Sequence, residues 1–179
     1  MTAAEHGLPK ADSPSWLDLA KNVFDRQVLR WDTKTCEGGL RWQIFAFNTG
    51  YDYKNSASNG IFFQLAARLG AFTGNQTYID WAEKSYQWTK SIGLITDDFH
   101  VFDGAHTGTE CSDINKVQWT YNAATFVYGS AVLYNQVFLV LDSFITVTLI
   151  RYRLRTRHGE IPQNPSLRQW TSFLTGTTE

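Results

Sequence analysis

Leu17, Ala20, Phe24, Val28 and Trp31 recur at spacings of three and four residues. That spacing puts them on one face of an amphipathic helix over about 14–31. Ser13-Pro14 ahead of the run reads as N-cap and first helical position. Ile61, Phe62, Leu65, Ala66, Leu69 and Phe72 give a wider apolar stripe, predicting a second helix from Ser58 or Asn59 to about Thr73, closed by Gly74. Tyr78, Trp81, Ala82, Ser85, Trp88 and Ile92 predict a third helix over about 77–92, closed by Gly93. A fourth starts near Trp119 and carries Ala123, Phe126, Val127, Ser130, Ala131 and Tyr134. Between these lie an apolar stretch, Leu40–Phe47, and a long loop over 94–117 rich in Asp, Gly and Thr.

The helices come in pairs with a period of about 60 residues. The first member of each pair is more charged and the second is apolar on more faces. An outer helix, a long loop and an inner helix that repeat in this way predict an all-α fold, an α/α toroid or solenoid whose neighbours cover each other. Two pairs leave the inner helices open, so the toroid is expected to be incomplete in this chain.

Composition changes near residue 136. Residues 1–135 carry a net charge of −3 and six of the seven Trp, whereas 136–179 carry +2 and no Lys. The chain therefore divides into 1–135 and a divergent tail over 136–179. The apolar run 137–150, broken by Asp142, is shorter than the roughly 20 residues a membrane span needs and reads also as a strand or aggregation-prone segment. The last stretch, 159–179, lacks periodicity and is read as disordered.

Overall the charge is −1, which excludes a strongly basic nucleic-acid binder. The 27 aromatic residues suit either core filling or the stacking of rings on sugar faces. Two cysteines, Cys36 and Cys111, are either buried thiols or, in an oxidising compartment, a bridge. Asn75-Gln76-Thr77 is an N-glycosylation sequon, which favours the secretory route. Residues 1–7 do not read as a signal peptide, so that route implies an N-terminus beyond this sequence.

Phosphate loops, dinucleotide fingerprints and serine-nucleophile motifs are absent from the sequence, and its four histidines are scattered. No cofactor and no metal site are expected. Asp97-Asp98 is the visible carboxylate pair, and a solvated turn is preferred to catalysis for it. More purposeful are Arg41-Trp42 after a Gly pair, Tyr53-Lys54-Asn55 with Asn59 ahead of the second helix, and Gln118–Asn122 ahead of the fourth. Such amides, hydroxyls and rings suit sugar hydroxyls, and equally suit capping and loop packing.

Four stretches, CEGGLRWQIF at 36–45, the run from Tyr53 to Trp88, VFDG at 101–104 and QWTYNAATFVYGSAVLYN at 118–135, resemble the fungal branch of glycoside hydrolase family 76. The resemblance covers about 3–135. It implies a six-hairpin α/α toroid that acts on α-1,6-linked mannan of the fungal cell wall, as an endo-1,6-α-mannosidase or as a transglycosidase that moves GPI-anchor mannan onto wall glucan. It also implies secreted or membrane-anchored glycoproteins. The family's catalytic aspartate pair precedes an Ala-Ala-Glu helix end that Ala3-Ala4-Glu5 matches, so the pair is expected upstream of residue 1. The chain as given is then expected to be inactive, a mannan-binding or non-functional fragment. Membrane association is expected only through segments outside this sequence. Substrate binding carries over to Arg41, Trp42, Lys54, Asn55, Asn59, Tyr121 and Asn122, with Gln118 and Trp119 as weaker candidates.

Overall fold

A computed structural model describes residues 1–9 and 13–136. The readings made for 137–179 lie outside the described residues. The elements are α1 (Thr2–Glu5), α2 (Trp16–Leu29), β1 (Tyr53–Asn55), α3 (Ser56–Thr73), α4 (Gln76–Ser91), β2 (Phe102–His106) and β3 (Ile114–Gln118), followed by a helix α5 described over 120–136.

The four expected helices are present, with shifted starts. Helix α2 begins at Trp16, and its cap is Ser15 rather than Ser13. Ser15 Oγ accepts the Asp18 N–H at 3.1 Å while Asp18 accepts the Ser15 N–H at 3.3 Å, a reciprocal capping box. Helix α3 begins at Ser56 because Asn55 Oδ1 accepts the Ser58 N–H at 3.1 Å. It ends at Gly74, whose φ of 68° is left-handed.

The first pair shows the expected contrast in burial, whereas in the second α4 buries Ala82, Ser85, Trp88 and Thr89 and α5 buries Asn122, Phe126 and Gly129. Inner helix α3 buries nine residues, including Phe62, Phe63, Ala66, Ala67 and Leu69, whereas outer helix α2 buries only Ala20 and Phe24. Phe62 packs on Phe24 and Trp81, Trp31 packs edge-on against Trp81 and Trp88, and Phe63 stacks on Phe126 of α5. Each such ring, once buried, contributes about 1.5–3 kcal/mol. Much of the aromatic surplus therefore fills the core.

The all-α expectation needs correction. The stretch expected as a loop over 94–117 supplies β2 and β3, which join β1 in an antiparallel sheet ordered β1-β2-β3. The strands are five residues or fewer and lean on few apolar side chains, chiefly Val101 and Ala105. Alternation over so short a span leaves almost no periodic signal. The sheet lies at the N-terminal end of α3, since β1 runs directly into that helix.

Cys36 and Cys111 form a disulfide, with Cα atoms 5.6 Å apart and a sequence separation of 75. Both are buried. The bridge ties the loop after α2 to the turn between β2 and β3. Closing a loop of this length removes about 4 kcal/mol of unfolded-state freedom in the chain-entropy model. Replacing both cysteines by alanine is expected to lower unfolding stability by about that amount, read as a shift of the urea midpoint.

Candidate functional site

At the sheet end of α3 the surface opens into a cleft of about 560 Å³, lined by Trp42, Asp52, Tyr53, Asp103, His106, Asp113 and Asn115 among others. Each lining side chain has an identifiable support. The Trp42 backbone N–H donates to Tyr53 O at 2.7 Å, fastening the main chain beneath the indole to the start of β1. Its ring lies over Gly50, where an added Cβ would come within 2.6 Å of it. Trp42 remains about half exposed.

Tyr53 and His106 are opposite partners in the β1/β2 register. Gly104 lets the Tyr53 ring lie across β2, because a Cβ there would meet that ring at 2.7 Å and Lys54 O at 2.5 Å. Tyr53 OH donates to Asp103 Oδ2 at 2.8 Å. Burial and this carboxylate push the Tyr53 hydroxyl up to about 12, so it stays a proton donor. Asp103 sits where the β2/β3 register shifts, and such an irregularity re-aims a side chain. Asn115 Nδ2 donates to Tyr53 OH at 3.3 Å and to Asp103 Oδ2 at 3.4 Å. At the outer rim His106 Nδ1 and Asp52 Oδ2 are 2.9 Å apart. The His106 hydrogen bond holds the Asp52 carboxyl below its usual range. The cleft thus presents carboxylate acceptors, a phenol, an imidazole, an amide and one indole face.

The residues expected to bind substrate divide into three groups. Trp42 lines the cleft. Tyr121 is exposed on α5, its ring near-parallel to Trp119 at 6.3 Å. Asn122 is fully buried and reaches Asp103 Oδ1 at 3.5 Å, touching the cleft from beneath. Gln118, at the end of β3, meets His100 Nδ1 at 3.2 Å.

Arg41, Lys54, Asn55 and Asn59 instead hold the scaffold. Lys54 is completely buried and donates to Asp32 O, Thr35 O and Gly38 O at 2.9, 2.7 and 2.5 Å. All three ammonium donors are engaged by protein, so none is left for a sugar. Arg41 is not in the cleft's lining and donates to Asp32 Oδ2 at 3.0 Å, to Tyr51 O at 3.0 Å and to Thr35 Oγ1 at 3.2 Å. Asn55 is the α3 cap. Asn59 is buried, accepts the Leu40 N–H at 2.8 Å and donates to Leu40 O and Asn55 O.

Asp52, Asp103, His106, Asp113 and Asn115 were not among the expected site residues. They sit in or beside strands too short to show alternation, and only the β1/β2/β3 register brings them together. Asp97 and Asp98 are exposed, and among the described residues Asp97 pairs with Lys90, at 3.5 Å.

The family model described as Glycosyl hydrolase family 76 matches residues 1–137. The mannan endo-1,6-alpha-mannosidase DCW1 of Saccharomyces cerevisiae is 51% identical over 139 residues, covering 75% of this chain and 31% of the relative. The crystal structure of Dfg5 from Chaetomium thermophilum in complex with glucosamine is 46% identical with a TM-score of 0.68, over 71% of this chain and 32% of that one. An inactive variant of the alpha-1,6-mannanase GH76A of Salegentibacter, in complex with alpha-1,6-mannotetrose, shares the fold at a TM-score of 0.57 and 24% identity, over 66% and 34% of the two chains. The chain thus spans about a third of the length of these relatives.

The Lys54 centre makes two predictions. Lys54→Met leaves Asp32 and three carbonyls without their cation, and is expected to cost about 3 kcal/mol in urea unfolding. Burial pushes the Asp32 carboxyl up, but bonds from the Thr35 hydroxyl and the Lys34 N–H, with the Lys54 charge, bring it down to about 2. Its ordinary value is 3.8, so its contribution of about 2 kcal/mol is present above pH 4 and lost as pH falls from about 4 to about 2. Asp32→Asn is expected to flatten that part of the stability–pH curve.

Proposed function

Because the chain belongs to glycosyl hydrolase family 76, we propose that its cleft is part of a binding channel for α-1,6-linked mannan in an endo-1,6-α-mannosidase of the fungal cell wall. The observation that carries this reading is one half-exposed indole, Trp42, set beside Asp52, Tyr53, Asp103, His106 and Asn115. A sugar offers an apolar ring face and a rim of hydroxyls. An aromatic face with fixed acceptors and donors matches both. The full fold in this reading is a six-hairpin toroid, of which α2 with α3 and α4 with α5 are two hairpins.

Retaining hydrolysis needs two carboxyl groups about 5–5.5 Å apart, one as acid and one as nucleophile. Asp97 and Asp98, exposed on a turn, do not flank the cleft; among the described residues they are not in its lining. In our reading the pair belongs to the motif expected ahead of residue 1, while this segment binds and orients the chain being cut. A transglycosidase would use the same cleft with a sugar hydroxyl in place of water. The glucosamine complex of the Dfg5 relative supports a glucosamine-bearing glycan, such as GPI-anchor mannan, as one form of substrate. The Cys36–Cys111 disulfide supports a secreted or cell-surface location.

Isothermal titration with unbranched α-1,6-mannan tests the reading. Binding is expected, and Trp42→Ala should weaken it roughly ten-fold by removing the stacking face. Equal binding by Trp42→Ala would place the sugar elsewhere. Reducing-sugar release by the 179-residue chain is expected to be absent. Release that disappears in Asp97→Asn would return catalysis to that pair.

A further inference from the structure

Between Trp42 and Tyr51 the chain forms neither helix nor strand, and it presents Ile44, Phe45, Ala46 and Phe47 to solvent. Ile44 is 59%, Phe45 55% and Phe47 85% exposed. Four consecutive exposed apolar residues are costly in water unless they serve a contact. The loop that carries them is held in place. The Asn48 N–H donates to Phe45 O at 3.0 Å, the Tyr51 N–H to Asn48 O at 3.1 Å, and Asn48 Nδ2 to Gln43 Oε1 at 3.2 Å. The Phe45 and Phe47 rings stack, with centroids 5.3 Å and planes 5° apart.

One flank of this loop, Trp42, Thr49 and Gly50, lines the cleft described above. The other flank, Gln43, Ile44 and Tyr51, walls a second pocket of about 540 Å³ together with Leu29, Arg30, Lys34 and Arg41. Charge separates the two sides. The cleft is lined by Asp52, Asp103 and Asp113 without lysine or arginine. The second pocket has three cations and one carboxylate, Asp32. That carboxylate is already shared between Arg41 and Lys54. Among the described residues no salt bridge engages Arg30 or Lys34. Leu29, 77% exposed, extends the apolar rim.

An apolar tip with cations behind it matches the two layers of a bilayer surface. Aromatic rings favour the boundary between acyl chains and head groups, and Lys and Arg are drawn to anionic lipid phosphates. Soluble phosphate would meet the cations and leave the rings in water. Neighbouring hairpins of a toroid cover one another through helix faces, and this loop has none. We propose that residues 44–47 and the basic pocket beside them dock on an anionic phospholipid bilayer. The rings enter the interface while Arg30 and Lys34 meet lipid phosphates. Membrane association was expected only through segments outside this sequence, whereas this contact lies within it. Docking here holds the adjoining cleft close to the bilayer, and it is independent of what fills the cleft.

Co-sedimentation of the 179-residue chain with phosphatidylcholine vesicles, with and without phosphatidylserine, is the test. Binding to the serine-containing vesicles is expected, weakening as salt rises. Phe45→Ser combined with Phe47→Ser should weaken it about ten-fold. Arg30→Gln combined with Lys34→Gln should weaken it about thirty-fold at low salt. Phe47→Trp should retain binding, since an indole also favours the interface. None of the four side chains is in the core, so the urea midpoints should match that of the parent chain. The apolar run 137–150 is the same in every variant and contributes equally to each. Equal binding by the double Phe variant, or equal binding to neutral vesicles, would overturn the proposal. So would loss in the Arg30/Lys34 variant alone with displacement by inorganic phosphate, which would show an anion site that needs no bilayer.

Discussion

The geometry around the cleft depends on one buried cation. Lys54 lies on β1 with no exposed surface, and its ammonium group gathers the carbonyls of Asp32, Thr35 and Gly38. Withdrawing that charge from water costs several kcal/mol unless it is closely paired. The Asp32 carboxylate, 3.3 Å away, is the pair. Because Asp32 is fixed for this purpose, it also fixes Arg41, 2.8 Å from it. The guanidinium then reaches Tyr51 O and Thr107 Oγ1 at 3.0 and 3.4 Å. A single buried ammonium thereby sets the positions of both ends of the loop that carries Trp42, and of the turn after β2.

The sheet and the disulfide convert this local order into a site. The Trp88 indole donates to Cys36 O at 2.9 Å, so the bridge is anchored to helix α4 as well as to the 107–111 turn. Tyr53 and Lys54 are neighbours on one strand and point to opposite faces. One goes up into the cleft to Asp103, the other down to the carbonyl nest. A strand is the one local structure that separates adjacent side chains so fully. Three residues of β1 therefore divide site from scaffold.

This division explains what the sequence revealed. The helices were legible because their apolar stripes persist over several turns, as from Phe62 to Leu69. Their caps were legible only in part: Ser15 and Asp18 have capping-box spacing, but Ser13-Pro14 offered a competing start. The two cysteines and the sequon left the disulfide open, and the structure closes it. The sheet was not legible, because β2 holds a glycine and a register shift within five residues. Among the side chains lining the candidate cleft the sequence had singled out Trp42 and Tyr53, and Asn122 reaches Asp103 from α5. Lys54, Asn55 and Asn59 drew attention as polar residues near an inner helix, but burial gives them cap and core hydrogen bonds. A polar residue beside a helix start satisfies backbone groups whenever it can, since unpaired buried donors are costly.

The same economy of charge gives the cleft its chemical character. Arg41, Lys54 and Lys116 adjoin it in sequence; Asp32 holds the first two, and Lys116 is exposed on β3. The residues lining the cleft include Asp52, Asp103 and Asp113 and neither lysine nor arginine. Tyr53 OH points at Asp103 and keeps its proton, which leaves the surface rich in acceptors and poor in cations. Such a surface repels phosphate and carboxylate ligands and accepts hydrogen bonds from neutral hydroxyls or ammonium groups. The sugar ring proposed above meets that condition, with the Trp42 face beside it. Two of the three neighbouring cations, Arg41 and Lys54, are thus engaged in holding the loop, and neither enters the cleft's lining.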